Sequence, residues 1–285
     1  QNTINALALT NTTSTSNNVS GILYTASLNG TISRNQIYDL RNASTLNSPT
    51  SPPRAMGIFL YAPTTSVTIA NNMVALGNGQ TTNTSFGGII AGVNSTYTLR
   101  AYHNTVYIEG TAGTGGNHTT CFDRSHFTGA SNTAITVDVR NNLFMNARNG
   151  GTGIHYAIAN CINATSSTTG WPAATCNNNI LNAANPAAIG YWTGQRTLAA
   201  WRTSSGNCDI NSYSGTPVTF VNSAVGDLHI NMGTTSNDIE SHGNLISGFN
   251  TDYDGDTRPG PVGSVNGGGG APDIGADEFD GVPND

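Results

Sequence analysis

Lysine is absent from this 285-residue chain, and all ten basic residues are arginine. Charged residues of either sign make up only 9% of the sequence, and the formal net charge is −6. Nucleic acids and anionic membranes are bound through clusters of Lys and Arg, so this composition argues against both as partners. The surface is expected to consist mainly of Asn, Thr, Ser and Gly.

Long apolar runs are also lacking. No stretch approaches the roughly 18 consecutive apolar residues that a membrane-spanning helix needs, so we expect no membrane insertion. The apolar residues recur periodically through the chain instead, which favours an ordered fold over disorder.

Cysteine is scarce, and its four copies include no Cys-x-x-Cys pair, which argues against a zinc or iron–sulfur site. Cys161 and Cys176 flank a Ser- and Thr-rich segment. In an exported chain we expect a disulfide bond between them that closes this segment. Cys121 and Cys208 either form a second bond or remain thiols, with Cys121 buried.

What the chain does contain is a pair of recurring patterns. The second of them centres on an asparagine two residues before an apolar residue, and its copies lie 37, 32, 38 and 37 residues apart: Asn35, Asn72, Asn104, Asn142 and Asn179. The first resembles Gly-Ile-x-x and supplies one apolar column: Ile22, Ile58, Ile89, Phe122, Ile154 and Ile189. Self-similarity at a period of about 20–50 residues is typical of repeat architectures.

Each repeat holds two or three short runs rich in β-branched residues, with no long helical period, and this predicts an all-β fold. Strands that recur in the same order stack in parallel, as the coils of a β-solenoid. Asparagines at one corner of successive coils either form a hydrogen-bonded ladder, which we favour, or simply make a turn. A short helix is expected only around Leu198 to Trp201.

The repeats and the end of the chain resemble a known family. The repeats are similar to those of secreted parallel β-helix surface proteins. The end of the chain resembles the closing segment of large β-helix proteins that are exported by the type IX secretion route, through Asp227-Leu228-His229-Ile230, Asp252-Tyr253-Asp254-Gly255-Asp256-Thr257-Arg258 and Asp273-Ile274-Gly275-Ala276-Asp277-Glu278. The resemblance implies a single-stranded right-handed parallel β-helix at a bacterial cell surface or secreted from it. The family's C-terminal sorting domain does not follow Asp285, so a segment of a longer or processed protein is expected.

We therefore expect a parallel β-helix over residues 1–230 and a closing segment over 231–285. A solenoid needs its open ends covered. The closing segment is expected to cap the final coils through apolar anchors and an ion pair of Arg258 with Asp277 or Glu278; the anchors are Ile239, Leu245, Ile246, Phe249, Ile274 and Phe279.

One candidate catalytic cluster follows from the repeat alignment. Asp123 and His155 occupy the outward position after the apolar column in adjacent coils, which lie about 4.8 Å apart in a parallel stack. Arg124, His126 and Glu109 are close in sequence, so this set could supply an acid–base pair. The alternative is that these polar residues simply face solvent. The outward residues Leu23, Phe59 and Ile90 in the same row form an apolar patch that either a loop or a partner covers.

The chemistry of known β-helix enzymes weakens the catalytic interpretation. Many lyases use a Lys or Arg base beside aspartates that bind Ca²⁺, and polygalacturonase-like hydrolases use paired aspartates on adjacent coils. This chain has no lysine and no such pair on its repeats. We therefore expect a non-catalytic module, adhesin-like or filament-forming, that binds a glycan or a surface protein and could self-associate. A polysaccharide lyase or glycoside hydrolase on the same scaffold is the alternative.

Asp252, Asp254 and Asp256 alternate along a Gly-containing loop. Oxygen ligands at this spacing begin many Ca²⁺ loops, which makes these three residues a candidate Ca²⁺ site. The twelfth position from Asp252 is Gly263, not Glu, so the loop is not an EF-hand. The alternative is that Asp254 and Asp256 close local turns with their own backbone.

Overall fold

Three parallel sheets wind around one core in the computed structural model, which describes residues 1–13, 18–44, 46–47, 54–92, 96–124, 135–162, 165–231, 238–260 and 270–280. The chain is a β-solenoid of about five turns, as the repeats predict. The first sheet contains β1 (Asn2–Ile4), β5 (Asn35–Tyr38), β9 (Met73–Leu76), β12 (Thr105–Ile108), β16 (Leu143–Asn146) and β20 (Ile180–Ala183).

The second sheet is the longest. It contains β3 (Asn18–Tyr24), β7 (Arg54–Leu60), β10 (Ser85–Ala91), β14 (Thr119–Arg124), β18 (His155–Asn160) and β21 (Gly190–Trp192), followed by the antiparallel β22 (Gln195–Arg196). The third sheet contains β4 (Gly30–Ser33), β8 (Val67–Ala70), β11 (Tyr97–Tyr102), β15 (Ile135–Arg140) and β19 (Cys176–Asn177).

Three strand pairs complete the sheets: β2 (Leu7–Leu9) with β6 (Leu40–Asn42), β13 (Thr111–Ala112) with β17 (Asn149–Gly150), and the antiparallel β23 (Phe220–Asn222) with β24 (Asp227–Ile230). Helical structure is sparse. The described helices are α1 (Leu198–Ser204), where a helix was expected, and short 3₁₀ turns at Ala173–Thr175, Pro186–Ala188 and Ser223–Val225.

Asparagine ladders define one corner of the solenoid. Asn35 donates its side-chain amide to Asn72 Oδ1 at 2.9 Å, Asn72 to Asn104 at 2.9 Å, and Asn104 to Asn142 at 3.0 Å. Asn142 continues the row to Asn179 at 3.1 Å. The expected ladder is therefore confirmed. The residue before each ladder asparagine has a left-handed backbone that turns the chain between the third and first sheets: Arg34, Asn71, His103, Asn141 and Asn178.

The apolar column follows the predicted register through four coils and then departs from it. Ile22, Ile58, Ile89 and Phe122 are paired in sequence across β3, β7, β10 and β14. In the next coil Phe122 faces Ile158, not Ile154. The expected place of Ile154 in the column is therefore wrong, because β18 begins at His155 and leaves Ile154 in an outer cluster with Tyr156 and Ala159. Ile189 is buried in the core, although Gly190 is the residue that pairs with Ile158.

Helix α1 packs against β21 in the last coil. Trp171, Trp192 and Trp201 pack edge to face with ring centroids 5.4 to 6.0 Å apart, and all three are buried. Gly190 in β21 lies directly beneath Trp201, where a Cβ atom would come within 2.5 Å of the indole ring. Trp201 of α1 is therefore part of the buried core at β21.

The described part of the closing segment, residues 238–260 and 270–280, is named here the strap. It lies along the side of the solenoid, and the structure does not show the end cap that we expected from this segment. Asn178 donates to the His242 carbonyl at 2.9 Å, Asn71 to the Thr251 carbonyl at 2.8 Å, and Arg34 to the Tyr253 carbonyl at 2.9 Å. The strap therefore contacts the corner residues from the last coil to the first.

Apolar anchors seat the strap on the outer face of the first sheet. Ile239, Ile274 and Phe279 pack with Leu143 and Ile180. Tyr253 and Ala276 pack with Met73 and Ala75. Leu245, which was also expected to be an anchor, is exposed.

One buried ion pair joins the two described parts of the strap to each other. Arg258 donates to Glu278 Oε2 at 2.7 Å, and both side chains are almost completely buried. Of the two partners that the sequence left open, Glu278 is therefore the one that Arg258 uses.

Candidate functional site

The predicted catalytic cluster is not assembled. Asp123 faces Ala159 across β14 and β18, whereas His155 faces Thr119, four residues earlier. His155 Nδ1 lies 2.9 Å from the Thr119 hydroxyl. The one-coil alignment that placed Asp123 beside His155 was wrong for the same reason as the Ile154 assignment.

The Arg124 guanidinium is engaged in structural hydrogen bonds. Its guanidinium donates to Asn160 Oδ1 at 3.0 Å and to the carbonyls of Ile135, Thr169 and Ser167, and it lies 5.0 Å from the ring centroid of Trp171. It is fully buried. A guanidinium that is saturated with carbonyl acceptors cannot act as a base.

Asp123 is buried beside another arginine rather than beside a histidine. It attracts Arg54, although burial outweighs this attraction and lowers the pKa of Arg54 to about 10. Glu109 accepts hydrogen bonds from Asn78 at 2.9 Å and from Ser223 at 3.3 Å, which ties it to local structure. His126 lies outside the described residues.

His155 lines a shallow groove of about 250 Å³ together with Arg148, Gly150 and Asn185. Burial is the largest influence on its imidazole and lowers its pKa to about 4, so the ring is neutral near pH 7. Asp123 is not among the residues that line this groove. A neutral histidine without a paired carboxylate gives the groove no acid–base pair.

The expected disulfide bond is absent. All four cysteines are free and buried. Cys176 accepts a hydrogen bond from Trp171 Nε1 at 3.1 Å and contacts Asp209 Oδ2 at 3.3 Å, whereas Cys161 contacts Asn160 Oδ1. Cys176 interacts with the Cys208 thiol, and neither Cys176 nor Cys161 forms a disulfide bond, so the prediction of a Cys161–Cys176 bond is wrong.

The three aspartates of the predicted calcium loop do not converge. Asp252 is fully buried, and its Oδ1 accepts the backbone N–H groups of Asp254, Gly255 and Asp256 at 2.8 to 2.9 Å. Its Oδ2 accepts the N–H of Glu278 at 3.0 Å. Asp254 and Asp256 are exposed. Asp252 therefore closes a turn, a role that the sequence alternative had given to Asp254 and Asp256.

A different group of possible metal ligands lies nearby. His229, Asp254 and Asp277 each offer a ligand atom, and these atoms lie within 4.8 Å of one another. His229 contacts Asp227 Oδ1 through Nδ1 at 2.5 Å and Asp254 Oδ2 through Nε2 at 2.6 Å. Burial opposes its charge, but these two hydrogen bonds outweigh burial and raise the pKa of His229 to about 9. A protonated imidazole that bridges two carboxylates accounts for this cluster, which ties β24 to the strap.

The outer face of the third sheet is the most open of the three large faces in the described structure. Every residue of β7, β10, β14 and β18 in the second sheet is buried, including Phe59 and Ile90 of the predicted apolar patch, while Leu23 is exposed. The strap covers the first sheet. On the third sheet, Thr68 of β8 and alternate residues of β11 and β15 remain at least partly exposed.

Arg100 stands at the centre of this face. It lies opposite Thr68 on one side and Asp138 on the other, and Thr98 lies opposite Thr136 in the neighbouring row. Arg140 holds Asp138 through two hydrogen bonds at 2.7 and 2.8 Å. Arg100 is partly exposed and makes no hydrogen bond or ion pair with another described residue. The face therefore presents one available guanidinium among threonine hydroxyls.

In the part of the chain that the structure describes, no helix is both long and apolar enough to cross a membrane. No protein family, curated protein or solved structure matches the chain.

Proposed function

We propose that this protein is a non-catalytic, adhesin-like binding module that holds an acidic glycan against the outer face of the third sheet. The observation that carries the proposal is the available Arg100 on an open, rigid, hydroxyl-rich face. A secreted or bacterial cell-surface location, and export by the type IX route, belong to the same proposal and rest on the resemblance of the repeats and of the closing segment.

The charges on this face support an anionic ligand. Asp138 is held by Arg140, so its charge is locally compensated and Arg100 is left as the available cation. Guanidinium groups recognise carboxylates through two parallel hydrogen bonds, which are roughly twice as strong as neutral ones. A glycan that carries uronic acids offers such carboxylates together with hydroxyl groups for the neighbouring threonines.

The rigidity of the face supports binding to an extended polymer. The threonines belong to strands that are hydrogen-bonded on both sides, so little side-chain or backbone freedom is lost when a ligand binds. Equivalent positions recur about every 4.8 Å along the stack. A polymer can therefore be held at several coils at once, although each individual contact is weak.

The test is calorimetric titration with polygalacturonate, with dextran as the neutral comparison. We expect binding to polygalacturonate, weakened about 10-fold or more by Arg100→Gln, because hydrogen bonds to a charged group contribute about 1.5–3 kcal/mol. Arg41→Gln is the matched control, since Arg41 is an exposed arginine outside the third sheet that pairs with Asp39.

Two results would contradict the proposal. Equal loss of binding in both arginine variants would show that only net charge matters. Release of unsaturated or reducing-end products from the polysaccharide would instead support the alternative, a lyase or hydrolase on the same scaffold.

A further inference from the structure

The groove beside His155, of about 250 Å³, lies where one coil of the solenoid is shorter than the coil before it. Strand β17 pairs with β13 of the preceding coil. After β20 the following coil runs through Asn185 into the 3₁₀ turn Pro186–Ala188, and within the described residues 180–192 it forms no strand beside β17. The groove is therefore left between β17 on one side and Ala184 and Asn185 on the other.

His155 presents a hydrogen-bond donor at the wall of this groove. Its Nδ1 contacts the Thr119 hydroxyl at 2.9 Å, and that hydroxyl already accepts the Asn146 amide at 3.0 Å. The hydroxyl proton has no other acceptor among the described residues, so it is donated to Nδ1, and the neutral ring carries its own proton on Nε2. The Gly150 carbonyl lies 3.3 Å from Nε2, beyond the usual length of about 2.9–3.0 Å. The protein therefore satisfies this donor only weakly.

Asn185 supplies a second donor from the following coil. Its Oδ1 accepts the N–H of Ala187 at 3.0 Å, which fixes the orientation of the side chain. Its Nδ2 makes no hydrogen bond with another described residue, and the side chain is exposed, so a ligand can reach this amide. Ile154 and Ala184 add apolar atoms to the lining of the groove.

A buried positive charge lies close to these donors. Arg148 is fully buried, and its guanidinium donates to the backbone carbonyls of Gln80, Glu109 and Thr82 at 2.7 to 3.2 Å. These carbonyls carry no net charge, and no described carboxylate pairs with Arg148. Burial is the main cause of the lowered pKa of His155, and the charge of Arg148 adds to it, which places the guanidinium near the ring. A buried cation without a counterion favours an anion at the nearest open space.

We infer that this groove is a binding site for a small organic carboxylate of about the size of one sugar ring. The carboxylate accepts hydrogen bonds from His155 Nε2 and from the Asn185 amide, and the charge of Arg148 favours it over a neutral group. Ile154 and Ala184 contact the carbon skeleton. The volume of the groove is below the roughly 300–1,000 Å³ of pockets that hold drug-sized ligands, which suits a single ring.

The experiment is an NMR titration of the ¹⁵N-labelled full-length protein at pH 7 with D-galacturonate. D-galactose is the comparison, because the two sugars differ only in the carboxylate. We expect saturable shifts of the backbone amides of Gly150, Gly153 and His155 with galacturonate, and binding of galactose that is about 10-fold weaker or more, since hydrogen bonds to a charged group are the stronger ones.

Asn185→Asp tests the donor without removing the cap of the 3₁₀ turn. The aspartate keeps the oxygen that accepts the Ala187 N–H, but it replaces the amide with a second carboxylate. Binding of galacturonate should weaken about 10-fold or more, because a donor is lost and a like charge is added. Asn211→Asp is the matched control, since Asn211 is exposed and does not line the groove, and it should bind like the wild type.

Digalacturonate distinguishes a free sugar acid from the end of a chain. Ala184 also lines a second groove that extends to Gly215. An additional shift at Gly215 would identify a chain end as the ligand, and shifts confined to the first groove would identify the free acid; both support the site.

The inference does not rest on the proposed function, and Arg100→Gln separates the two. This variant should leave the galacturonate shifts at Gly150 and His155 unchanged even where it weakens binding of the polymer. Three results would overturn the inference: no saturable shift at these amides in the wild type, equal binding of galactose, or equal weakening by Asn185→Asp and Asn211→Asp. Loss of the groove shifts in the Arg100 variant would likewise overturn it, by assigning the binding to the third sheet.

Discussion

Asn141 and Asn244 hold each other through two reciprocal hydrogen bonds. Asn141 donates its side-chain amide to the Asn244 carbonyl at 2.7 Å, and the Asn244 N–H donates to Asn141 Oδ1 at 2.9 Å. The two residues are 103 positions apart, and the bonds join the corner of a middle coil to the strap. Asn141 is fully buried, so neither of its polar atoms has water as a substitute.

Replacing Asn141 by Ala should lower the free energy of unfolding by about 1–3 kcal/mol, the usual cost of leaving buried polar groups unsatisfied. Asn149→Ala is the control, because Asn149 is exposed in the same coil. Chemical denaturation measures both variants. A similar loss in the two would show that the contact between the strap and the corner contributes little.

Counting the reactive thiol groups tests whether any of the cysteines form disulfide bonds. We expect unreduced, denatured protein to react with four equivalents of a thiol reagent, because all four cysteines are free. The native protein should react far more slowly, since every one of them is buried and burial raises the pKa of Cys121 and Cys176. Two reactive equivalents after denaturation, rising to four after reduction, would restore the disulfide interpretation.

Asp252→Ala should destabilise the protein equally in the presence of Ca²⁺ and of a chelator. The reason is that Asp252 serves as an acceptor for four backbone N–H groups, and leaving such buried groups unsatisfied costs about 1–3 kcal/mol. Asp256→Ala, at an exposed position of the same loop, should have little effect. Melting temperatures measure both variants. A loss that occurs only with Ca²⁺ present, and in both variants, would indicate that the loop binds the ion.

His229→Gln should destabilise the protein at pH 6 and much less at pH 9.5. The folded-state pKa of about 9 lies above the unfolded value of about 6.5, so the stabilisation is fully present below pH 6.5 and is lost as the pH rises through 9. Comparing the stability of the wild type and the variant at the two pH values separates the contribution of His229 from that of the carboxylates of the strap. A difference that does not change with pH would contradict a charged bridge to Asp227 and Asp254.

The solenoid could be predicted from the sequence because each coil repeats the same residue types at similar spacing. The asparagine row, the buried Ile58 and Ile89, and the short helix at Leu198 all follow from spacing and residue type. The alignment failed at Ile154 because a Gly-Ile pair was matched to the column although the strand begins one residue later. The same misalignment produced the prediction that Asp123 and His155 are neighbours. In the structure Asp123 pairs with Ala159 and His155 pairs with Thr119.

The strap could not be read from the sequence in the same way. Its contacts join corner residues to carbonyl groups far along the chain, as Arg34 joins Tyr253, and backbone carbonyls carry no sequence pattern. The arrangement of Cys176 beside Cys208 likewise depends on where α1 and its flanking loops fold. Periodicity therefore identifies the coils, whereas non-periodic segments are placed by tertiary packing.

The strap also changes how such a stack should unfold. In an ordinary solenoid each coil contacts only the coils next to it, so terminal coils can unfold while the rest stays folded. Here residues 238–260 contact corner residues in the last, the middle and the first coils, through Asn178, Asn141 and Arg34. Opening the first coil therefore disturbs a segment that also supports the last one. The chain should accordingly lose its coils in a single cooperative transition, like a globular domain, rather than by fraying one coil at a time.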